Sequence, residues 1–408
     1  MAFGCSSEGS DKESYLAMTA PRVCDVVVVG GGVMGSSIAY HLVKADPGLD
    51  VVVVERDPSY TQASSTLSVG NARVQFSLRQ NIQISLHALE VFECFDEEMS
   101  VEGQRPDIRF RPEGNLFLHR EESAAVAKSA MALQGSLGGD VEWWSPQKVG
   151  TQYPFLEPEG LSGGTFGPRD GHLDGYALLM GYKAKAVSLG SRFIAGNATG
   201  IVTEGDKARG ILLESGEHLL APVVVNCAGA WAADLARTAG VDLPVVPVKR
   251  QAFVVETPER FDKPLPLTVF PSGLYFRSEA SDLLLVGKSL DDDPESYSFS
   301  WQESRFTDLL WPELARWAPA FDRLRLTRGW AGLYAVNRLD GNAILGEWPD
   351  LKGLFHANGF SGHGLQQAPA AGRYLAELIL GQEPTLDLAA LGAKRIVEGR
   401  PLAEGGLV

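Results

Sequence analysis

The first regular pattern in the chain is a pair of wholly apolar runs that enclose a glycine-rich turn and an amphipathic segment. Residues 26–29 are four valines, the glycine-rich residues 30–35 follow at once, and apolar side chains then recur at helical spacing over residues 38–43. A second valine run, residues 51–54, ends on Glu55. Continuous apolar runs of this length are typical of strands that are buried on both faces, so the pattern predicts a strand, a helix and a second, parallel strand.

Further along the chain, apolar runs and helical patterns alternate in a way that interrupts a simple nucleotide-binding unit. Helices are predicted at residues 122–133 and 178–189, and strands at residues 116–118, 201–203, 211–213 and 222–227. Alternating or apolar runs predict a second, largely antiparallel sheet with strands at 252–255, 274–276 and 283–286. The last helical pattern opens after residue 359 and stops at Gly381. The domain that contains the first strand is therefore predicted to be discontinuous in sequence.

Composition and charge limit the class of protein. The chain has 408 residues, of which 45% are hydrophobic and 21% are charged, and its formal net charge is −15. These values are typical of a globular protein long enough for two domains. The negative charge argues against binding to nucleic acid or to an anionic membrane surface. No apolar stretch approaches the roughly 20 residues that a membrane-spanning helix needs.

The cysteines and the N-terminal residues bear on metal binding and location. Cys5, Cys24, Cys94 and Cys227 are widely scattered and form no CxxC pair, so the sequence predicts a reducing compartment and no metal site. Residues 1–23 are acidic and contain no apolar segment, which differs from a signal peptide and from a mitochondrial presequence. This stretch is predicted to be a disordered tail.

Each glycine of the first turn has its own steric role. Gly30 allows the tight turn after the strand, Gly32 lets the backbone approach a pyrophosphate, and Gly35 lets the helix pack closely on the strand. The amides and the dipole at the start of that helix attract phosphate groups. Glu55 follows Gly35 by 20 residues (55 − 35 = 20), a spacing at which a carboxylate binds ribose hydroxyls. The sequence therefore predicts a dinucleotide-binding site.

A second glycine-lined helix start lies at residues 358–367, with the sequence NGFSGHGLQQ. The positive end of its dipole suits negative charge on the N1–C2 edge of a reduced flavin, a demand that a nicotinamide does not make in the same way. The apolar run at 222–227 ends in the small residues Ala228, Gly229 and Ala230, which allow a ligand to approach closely. These features favour a flavin as the cofactor.

These motifs resemble those of the D-amino-acid oxidase superfamily of FAD-dependent oxidoreductases, which includes the sarcosine, dimethylglycine and glycine oxidases. The resemblance covers about residues 24–390 and is carried by residues 30–35, Glu55, 63–65, 226–231 and 359–364. Within the superfamily, residues 67–70, 75–78 and 360–369 resemble the group of FAD-dependent oxidoreductase domain-containing protein 1. This resemblance implies an association with mitochondria and with assembly of respiratory complex I, whereas bacterial relatives of similar pattern are described as amine or imino-acid dehydrogenases.

Pattern and resemblance together predict an α/β fold. It comprises a Rossmann-like FAD-binding domain of the glutathione-reductase type and a discontinuous substrate domain of α+β character, built on a mainly antiparallel sheet. The FAD-binding domain is predicted at residues 24–87, 160–235 and 329–392, and the substrate domain at residues 88–159 and 236–328. Residues 393–408 are predicted to be a C-terminal tail.

The resemblance also implies roles for individual residues. The predicted FAD-binding residues are Gly30, Gly32, Val33, Met34, Gly35, Glu55, Arg56, Ser64, Ser65, Ala228, Gly229, Gly362, His363, Gly364 and Leu365. Three residues are predicted to be catalytic: Arg73 as the clamp of the substrate carboxylate, Tyr334 as an active-site tyrosine, and His363. A guanidinium fork matches a carboxylate, and a phenol is able to orient an amine.

Four positions depart from the family pattern. Leu285 stands where sarcosine oxidases carry the lysine that activates oxygen, which argues against fast oxygen reduction. Gly332 and Leu67 stand where relatives carry a cysteine or a histidine that tethers the flavin, so FAD is predicted to be bound non-covalently. Gln366 replaces a lysine that would be a second positive partner of the substrate carboxylate.

Each catalytic assignment has a structural alternative. Arg73 suits equally an ion pair with a structural carboxylate, and Tyr334 suits a core position with a satisfied hydroxyl. His363 has the alternative of acting through its backbone and position. Arg277 is a second candidate for the carboxylate clamp, and Cys227 is interpreted as a small core residue.

The reaction predicted first is dehydrogenation of a secondary or N-methyl amino acid, such as sarcosine, dimethylglycine or proline, by hydride transfer to flavin N5. The electron acceptor is not specified by the sequence. The alternative is a flavoprotein that assists complex I assembly, with respiratory subunits as partners and little turnover of small molecules. An NAD-dependent dehydrogenase is a third interpretation, which residues 359–364 disfavour. The predicted location is the cytoplasm or, by resemblance alone, the mitochondrial matrix.

Overall fold

The computed structural model describes residues 22–405, which form two large β-sheets and one small one. The strands are β1 Arg22–Val23, β2 Val26–Val29, β3 Val51–Glu55, β4 Asn71–Ala72, β5 Asn115–His119, β6 Glu142–Trp144, β7 Gly163–Gly167, β8 Gly171–His172, β9 Arg192–Ala195, β10 Ala198–Glu204, β11 Lys207–Leu213, β12 His218–Leu220, β13 Val223–Asn226, β14 Val245–Glu256, β15 Leu267–Val269, β16 Tyr275–Ala280, β17 Leu283–Gly287, β18 Arg325–Asn337, β19 Ile344–Trp348 and β20 Leu351–Asn358. The α-helices are α1 Val33–Ala45, α2 Ser64–Leu67, α3 Arg79–Glu98, α4 Glu121–Ser136, α5 Pro146–Gln152, α6 Gly175–Ser188, α7 Ala232–Arg237, α8 Trp311–Trp317, α9 Gly364–Ile379 and α10 Lys394–Val397.

The larger sheet has the order β1-β12-β11-β20-β13-β2-β3-β9, with β10 and β19 attached to β11 and β20. Its five neighbouring strands β20, β13, β2, β3 and β9 are all parallel. The strands β10, β11 and β12 form an antiparallel extension. Helices α1, α6 and α9 cover one face, and α7 with the antiparallel extension covers the other. This is the Rossmann-like arrangement that the sequence predicts.

The two faces of this sheet explain the unbroken valine runs. Val26 and Val28 of β2 pack into the core beneath α1, together with Ile38 of that helix. Val27 and Val29 point to the opposite core, which α7 and β11 complete. Because both faces are covered, every position of the strand has to be apolar.

The second sheet has the order β18-β14-β17-β16-β15-β5-β7-β6. Every neighbouring pair is antiparallel except β15 with β5, which confirms the predicted second sheet. Its core contains Phe253, Phe276, Phe306 and Phe321, each almost fully buried. Strand β18 pairs with β14 from Val245 to Glu256, so these two long strands form one edge of the sheet.

Three predicted domain boundaries differ from the observed elements. Strand β7 and most of β18 lie in residue ranges assigned to the FAD-binding domain, but both belong to the second sheet. Helix α3 runs across the boundary predicted between residues 87 and 88 and packs on α9 of the first domain. These pairings join segments that are distant in the chain, and local patterns carry no information about them.

The two predicted tails also need correction. Arg22 and Val23 pair in parallel with Leu219 and Leu220, so the end of the predicted disordered tail is a strand, while residues 1–21 lie outside the described residues. At the other end, residues 393–405 include α10 and are held against the body of the protein, for example by a hydrogen bond from Leu402 N to Asp340 Oδ2 at 3.0 Å. No helix within residues 22–405 is long and apolar enough to cross a membrane.

Candidate cofactor and substrate site

The carboxyl ends of the five parallel strands meet at one edge of the larger sheet and line a cavity of about 490 Å³. The turns that follow β2, β3, β9 and β13 form its walls, and the start of α9 closes it. This edge of an open parallel sheet is where ligands of such folds bind. All the predicted cofactor-binding residues line this cavity except Gly35 and His363, whose sequence neighbours Met34, Gly362 and Gly364 do line it.

Two glycines of the first turn are required by the backbone, and a third leaves space for a ligand. Gly30 has a φ of +99°, and a Cβ there would collide with the carbonyl oxygen of Cys227. A Cβ on Gly35 would collide with the carbonyl oxygen of Gly30, so α1 approaches the turn only with glycine at this position. A Cβ on Gly32 would have Ser65 Oγ as its nearest atom, at 3.5 Å. The backbone at Gly32 is therefore open on this side, which suits its predicted role beside a pyrophosphate.

Glu55 is fixed in the cavity wall by backbone amides. Gly31 N donates to Oε2 at 2.7 Å, and Asp57 N donates to Oε1 at 2.8 Å. The carboxylate retains acceptor capacity for ribose hydroxyls. Next to it, the Arg56 guanidinium lies 3.4 Å from the centroid of the Trp231 ring. These two flat groups form a wall that fits the adenosine end of the cofactor.

The short helix α2 connects the two domains at this site. Ser65 Oγ accepts a hydrogen bond from Val33 N at 3.1 Å, and Ser64 Oγ donates to the carbonyl oxygen of Leu333 at 2.7 Å. The first contact fixes α2 to the start of α1, and the second fixes it to β18 of the second sheet. The floor of the cofactor cavity is therefore contributed by the sheet of the substrate domain.

The amino end of α9 points into the same cavity. Ser361 and Gly362, just before the helix, have φ values of +49° and +98°, and a Cβ on Gly362 would overlap the ring of Tyr334. The first amides of a helix have no partner within the helix, so Gly364 and Leu365 offer donors and positive potential to the cavity. This arrangement fits the pyrimidine edge of a flavin.

Tyr334 lies between the cofactor cavity and a buried cluster of charges. The Arg250 guanidinium is 5.7 Å from the centroid of its ring, and Asp293 pairs with both Arg250 and Arg305. Burial raises the pKa of Tyr334. The phenol is therefore protonated at neutral pH and able to donate a hydrogen bond into the cavity.

Arg73 and His363 contact each other at the start of α9, and neither of them lines the cofactor cavity. Arg73 is only 4% exposed; its Nη1 donates to the carbonyl oxygen of Gln75, and its Nη2 lies 3.3 Å from His363 Nε2. Because a guanidinium only donates, His363 Nε2 accepts this contact. Burial, assisted by the charge of Arg73, lowers the pKa of His363 to about 3. The neutral imidazole is suited to holding Arg73 in place, which favours the positional alternative over proton transfer.

A carboxylate from the C-terminal segment completes the surroundings of Arg73. Glu404 accepts hydrogen bonds from Ser77 N at 2.7 Å, Leu78 N at 2.9 Å and Asn81 Nδ2 at 2.9 Å, and so caps the start of α3. Burial lowers the pKa of Arg73 to about 10, and the charge of Glu404 opposes that shift. The protein thus provides a negative charge near Arg73 before any substrate binds.

Asp170 holds the segment that carries Arg73. Its Oδ1 accepts a hydrogen bond from Val74 N and its Oδ2 accepts one from Gln75 Nε2, both at 2.8 Å. Burial raises the pKa of Asp170 to about 7, although these hydrogen bonds and the charge of Arg73 oppose the shift. The carboxyl group therefore titrates near neutral pH in the folded protein.

We expect Asp170→Asn to remove a pH dependence of stability. The ordinary pKa of an aspartate is 3.8 and the pKa of folded Asp170 is about 7, so between these values the folded state binds more protons than the unfolded state. The unfolding free energy of the wild type then falls as pH rises through this window, by at most about 1.4 kcal/mol per pH unit. Urea unfolding should be measured at about pH 5 and at about pH 8. The unfolding free energy of the variant, relative to that of the wild type, should be higher at about pH 8 than at about pH 5. An equal difference at both pH values would contradict the assignment.

The departures from the family pattern are also visible in the geometry. Gln366 Oε1 accepts a hydrogen bond from Arg73 N at 2.7 Å, so this residue supports Arg73 in place of a second cation. A Cβ on Gly332 would lie 3.3 Å from Leu67 Cβ, and both residues line the cofactor cavity without offering a nucleophile. Leu285 lies away from this cavity and lines a second one.

Sequence reasoning missed two parts of the site. Residues 196–199 line the cavity beside Glu55, because Gly196 N donates to the carbonyl oxygen of Glu55 at 3.0 Å. The signal for this segment was weak, since β9 is short and partly exposed. Glu404 gave no signal, since Ser77 is 327 residues away in the chain. Within residues 22–405, no group of three or more histidine, cysteine or acidic side chains is placed to hold a metal ion.

Fold and site together define a class of protein: a two-domain oxidoreductase whose dinucleotide cofactor ends at a second helix start, as a flavin requires. In a comparison with known protein families, the sequence model of the DAO family, described as FAD dependent oxidoreductase, matches residues 25–378. The chain belongs to this family, and its cofactor is FAD.

Individual relatives extend this result. The chain is 35% identical to FAD-dependent oxidoreductase domain-containing protein 1 of Bos taurus, with 94% of this chain and 87% of the relative covered. It is 27% identical to glycine oxidase of Geobacillus kaustophilus, with 91% and 97% covered. It is 26% identical to mitochondrial dimethylglycine dehydrogenase of Homo sapiens, where 96% of this chain aligns with 46% of the relative.

A solved structure confirms the fold. L-proline dehydrogenase from P. horikoshii superimposes with a TM-score of 0.83 at 25% identity, covering 94% of this chain and all of the other. The predicted fold class, the resemblance to the D-amino-acid oxidase superfamily and FAD as the cofactor are confirmed. Non-covalent binding agrees with the side chains at positions 67 and 332, while the roles of the individual site residues stay predictions.

Proposed function

We propose that the chain dehydrogenates a secondary or N-methyl amino acid. The observation that carries this proposal is the buried guanidinium of Arg73, held by His363 at the start of α9, one residue from the cavity wall at Gly362 and Gly364. The names of the relatives support the substrate class, since they include a proline dehydrogenase, a sarcosine dehydrogenase and a dimethylglycine dehydrogenase.

The residues of the chain supply orientation and electrostatics for this reaction. Bound FAD supplies a hydride acceptor at N5. Arg73 would clamp the substrate carboxylate, and the Tyr334 hydroxyl would donate a hydrogen bond that orients the substrate. The amides at the start of α9 would stabilise negative charge on the cofactor. Hydride transfer from a neutral amine needs no strong general base, and none of the residues assigned here has that role.

The test of this function is an anaerobic visible spectrum of the purified protein during addition of sarcosine, dimethylglycine, proline, glycine and D-alanine in turn. Bleaching of the flavin band by one of them would establish dehydrogenation and identify the substrate class. A flavin band that none of these compounds bleaches would contradict the proposed substrate class.

We expect Arg73→Met to weaken binding of the amino acid by about 2–5 kcal/mol while FAD remains bound. The loss arises because the carboxylate would enter a buried site without its cation. Dissociation constants come from anaerobic titration of the flavin spectrum with proline and with pyrrolidine, which lacks the carboxylate. The wild type should prefer proline, and the variant should lose that preference.

Arg79→Met is the matched control, because Arg79 is exposed at the start of the neighbouring helix α3. It should bind proline like the wild type. If Arg73→Met also retains the preference for proline, Arg73 has the structural role of a partner to Glu404.

The second candidate is a flavoprotein that assists assembly of respiratory complex I in mitochondria, with respiratory subunits as partners. It is supported by the similarity to FAD-dependent oxidoreductase domain-containing protein 1 and by the resemblance in sequence. Protein that is yellow, that no amine bleaches and that co-purifies with membrane respiratory subunits would favour this candidate.

A further inference from the structure

A second cavity of about 590 Å³ lies beside the cofactor cavity, and the segment 66–69 separates the two. Leu67 and Ser68 line both cavities. Trp330 Nε1 donates to the carbonyl oxygen of Leu67 at 2.9 Å, and Arg277 Nη2 donates to that of Val69 at 3.0 Å. These two hydrogen bonds, both from side chains of the second cavity, fix the partition.

The second cavity is rich in positive charge although the chain has a net charge of −15. Four arginines line it: Arg109 and Arg111 from the loop before β5, Arg277 from β16 and Arg328 from β18. They come from three separate parts of the chain. Such a concentration of guanidinium groups in an acidic protein attracts anions and raises their local concentration.

The carboxylates of this cavity already have partners. Asp174 Oδ1 accepts hydrogen bonds from two backbone amides at the start of α6, both at 3.0 Å. Glu279 pairs with Arg277 at 2.8 Å, and Asp107, outside the cavity, pairs with Arg109 at 3.0 Å. Among the described residues, no ion pair includes Arg111 or Arg328. Burial raises the pKa of the half-buried carboxylate of Glu113, and the charge of Arg111 lies close enough to oppose that shift. Within residues 22–405, Arg111 therefore has a carboxylate nearby but no direct ion pair, and Arg328 faces the cavity with neither.

The remaining lining groups suit a flat organic anion. Burial, assisted by the charges of Arg277 and Arg111, lowers the pKa of His172 to about 3, so this side chain is neutral at pH 7. The Arg328 guanidinium lies 5.4 Å from the centroid of the Trp330 ring. An indole face combined with guanidinium forks favours a planar ligand that carries carboxylate or sulfonate groups.

The position of the cavity indicates what such a ligand would do. Arg73, the proposed clamp of the amino acid, lines neither cavity, so the second cavity is not a part of that clamp. A single segment of chain, which includes Leu67 and Ser68, separates the second cavity from the cofactor cavity. Arg277, the second candidate for the clamp, lines this cavity but pairs with Glu279. A ligand held there would lie beside the cofactor cavity and away from the proposed clamp at Arg73.

We propose that this arginine-lined cavity binds an anionic small-molecule electron acceptor of the quinone or dye class that reoxidises the reduced cofactor. The inference rests on the proposed function, because that function leaves two electrons on FAD in each turnover. Those electrons pass either to one acceptor, which also takes up two protons, or to two one-electron acceptors, with the protons released to water. The amino acid is oxidised and the acceptor is reduced, so the electrons balance.

The first measurement is the rate at which ferricyanide reoxidises the protein in a stopped-flow instrument. The bound flavin is reduced beforehand with dithionite, so the experiment does not depend on any amine. The variant is Arg111→Gln with Arg328→Gln. The control is Arg323→Gln with Arg325→Gln, which removes the same charge from exposed arginines that pair with Glu259 and Glu256.

At low ionic strength, the first double variant should react with ferricyanide at least about tenfold more slowly than the wild type, and salt should reduce this difference. The control variant should stay within about twofold of the wild type, because its charges lie outside the cavity. Phenazine methosulfate, which is a cation, should react with both variants at least as fast as with the wild type. Equal effects of the two double variants on ferricyanide would overturn the proposal.

The second measurement is binding without electron transfer. Hexacyanocobaltate is a trianion like ferricyanide but is not reduced under these conditions, and calorimetry should show that it binds the wild type and the control variant. Arg111→Gln with Arg328→Gln should lower this affinity at least about tenfold. Unchanged affinity would overturn the acceptor site.

The two proposals fail in different ways. Normal bleaching by an amine together with unchanged ferricyanide rates would overturn the acceptor site alone. A flavin that no amine bleaches, with the expected loss of ferricyanide rate in the first double variant, would overturn the substrate proposal and leave the acceptor site supported.

Discussion

Replacing Gly35 with alanine should leave the purified protein without FAD and lower its unfolding free energy by about 1–3 kcal/mol. The Cβ of the new side chain would collide with the carbonyl oxygen of Gly30 in the turn that precedes α1. That oxygen belongs to a backbone with a φ of +99°, which has little freedom to move. Helix α1 would have to shift away from β2, and the amides predicted to bind the pyrophosphate would shift with it.

The measurement combines the flavin absorbance of the purified protein with its urea unfolding curve. Gly32→Ala separates cofactor binding from folding, because its Cβ has its nearest atom at 3.5 Å and Gly32 lines the cavity that is predicted to hold the cofactor. In the absence of FAD, this variant should have the same unfolding free energy as the wild type. It should bind FAD more weakly than the wild type does. Gly135→Ala in α4, where a Cβ meets nothing within 4 Å, should gain roughly 0.5–1 kcal/mol. Stoichiometric FAD in Gly35→Ala would contradict the steric argument.

Replacing Arg395 with methionine should lower the unfolding free energy by about 3–5 kcal/mol. Arg395 is 5% exposed and pairs with Asp340 through Nε at 3.1 Å and Nη2 at 3.2 Å. It also donates to the carbonyl oxygens of Leu391 and Ala343, at 3.1 and 3.0 Å. The methionine fills much of the same volume but leaves a buried carboxylate without its cation.

Urea unfolding measures this loss, and two further variants identify its cause. Lys394→Met removes an exposed charge whose Nζ lies 3.8 Å from Glu398, and it should change the unfolding free energy by less than about 1 kcal/mol. Arg395→Met combined with Asp340→Asn should recover part of the loss, because the unpaired charge is then removed. If Arg395→Met is no more destabilising than Lys394→Met, the pair contributes nothing to stability.

The parts of the fold that were predictable are those whose pattern lies within a short, continuous stretch of sequence. The valine runs, the glycines between them and Glu55 all lie within one βαβ unit, so local pattern was sufficient to predict that unit and its class of cofactor. The start of α9 was predictable for the same reason, because its glycines and the following apolar face are contiguous. Each of these features has a steric or dipolar cause that acts over a few residues.

The parts that were not predictable depend on distant pairing. Strand β18 carries an apolar stretch that suits either sheet, and only its pairing with β14 from Val245 to Glu256 assigns it to the second one. Strand β7 is almost all glycine and threonine, so its packing against β5 leaves little trace in hydropathy. The surroundings of Arg73 combine Asp170, His363 and Glu404, and no sequence spacing relates these three residues.

The parallel sheet also constrains the order in which the molecule is completed. Val26 pairs with Val223, and Val224 pairs with Leu354, so the fingerprint near the start of the chain lies beside strands made far later. Contacts of such long sequence separation carry a large loop-closure cost and form slowly. During synthesis on the ribosome, one side of β2 would stay unpaired until β13 has emerged. The part of the cavity formed by the start of α9 would be completed later still, when α9 has emerged. FAD binding is therefore expected to follow the synthesis of β13 and α9, and until then an unpaired valine strand is exposed that chaperones are suited to protect.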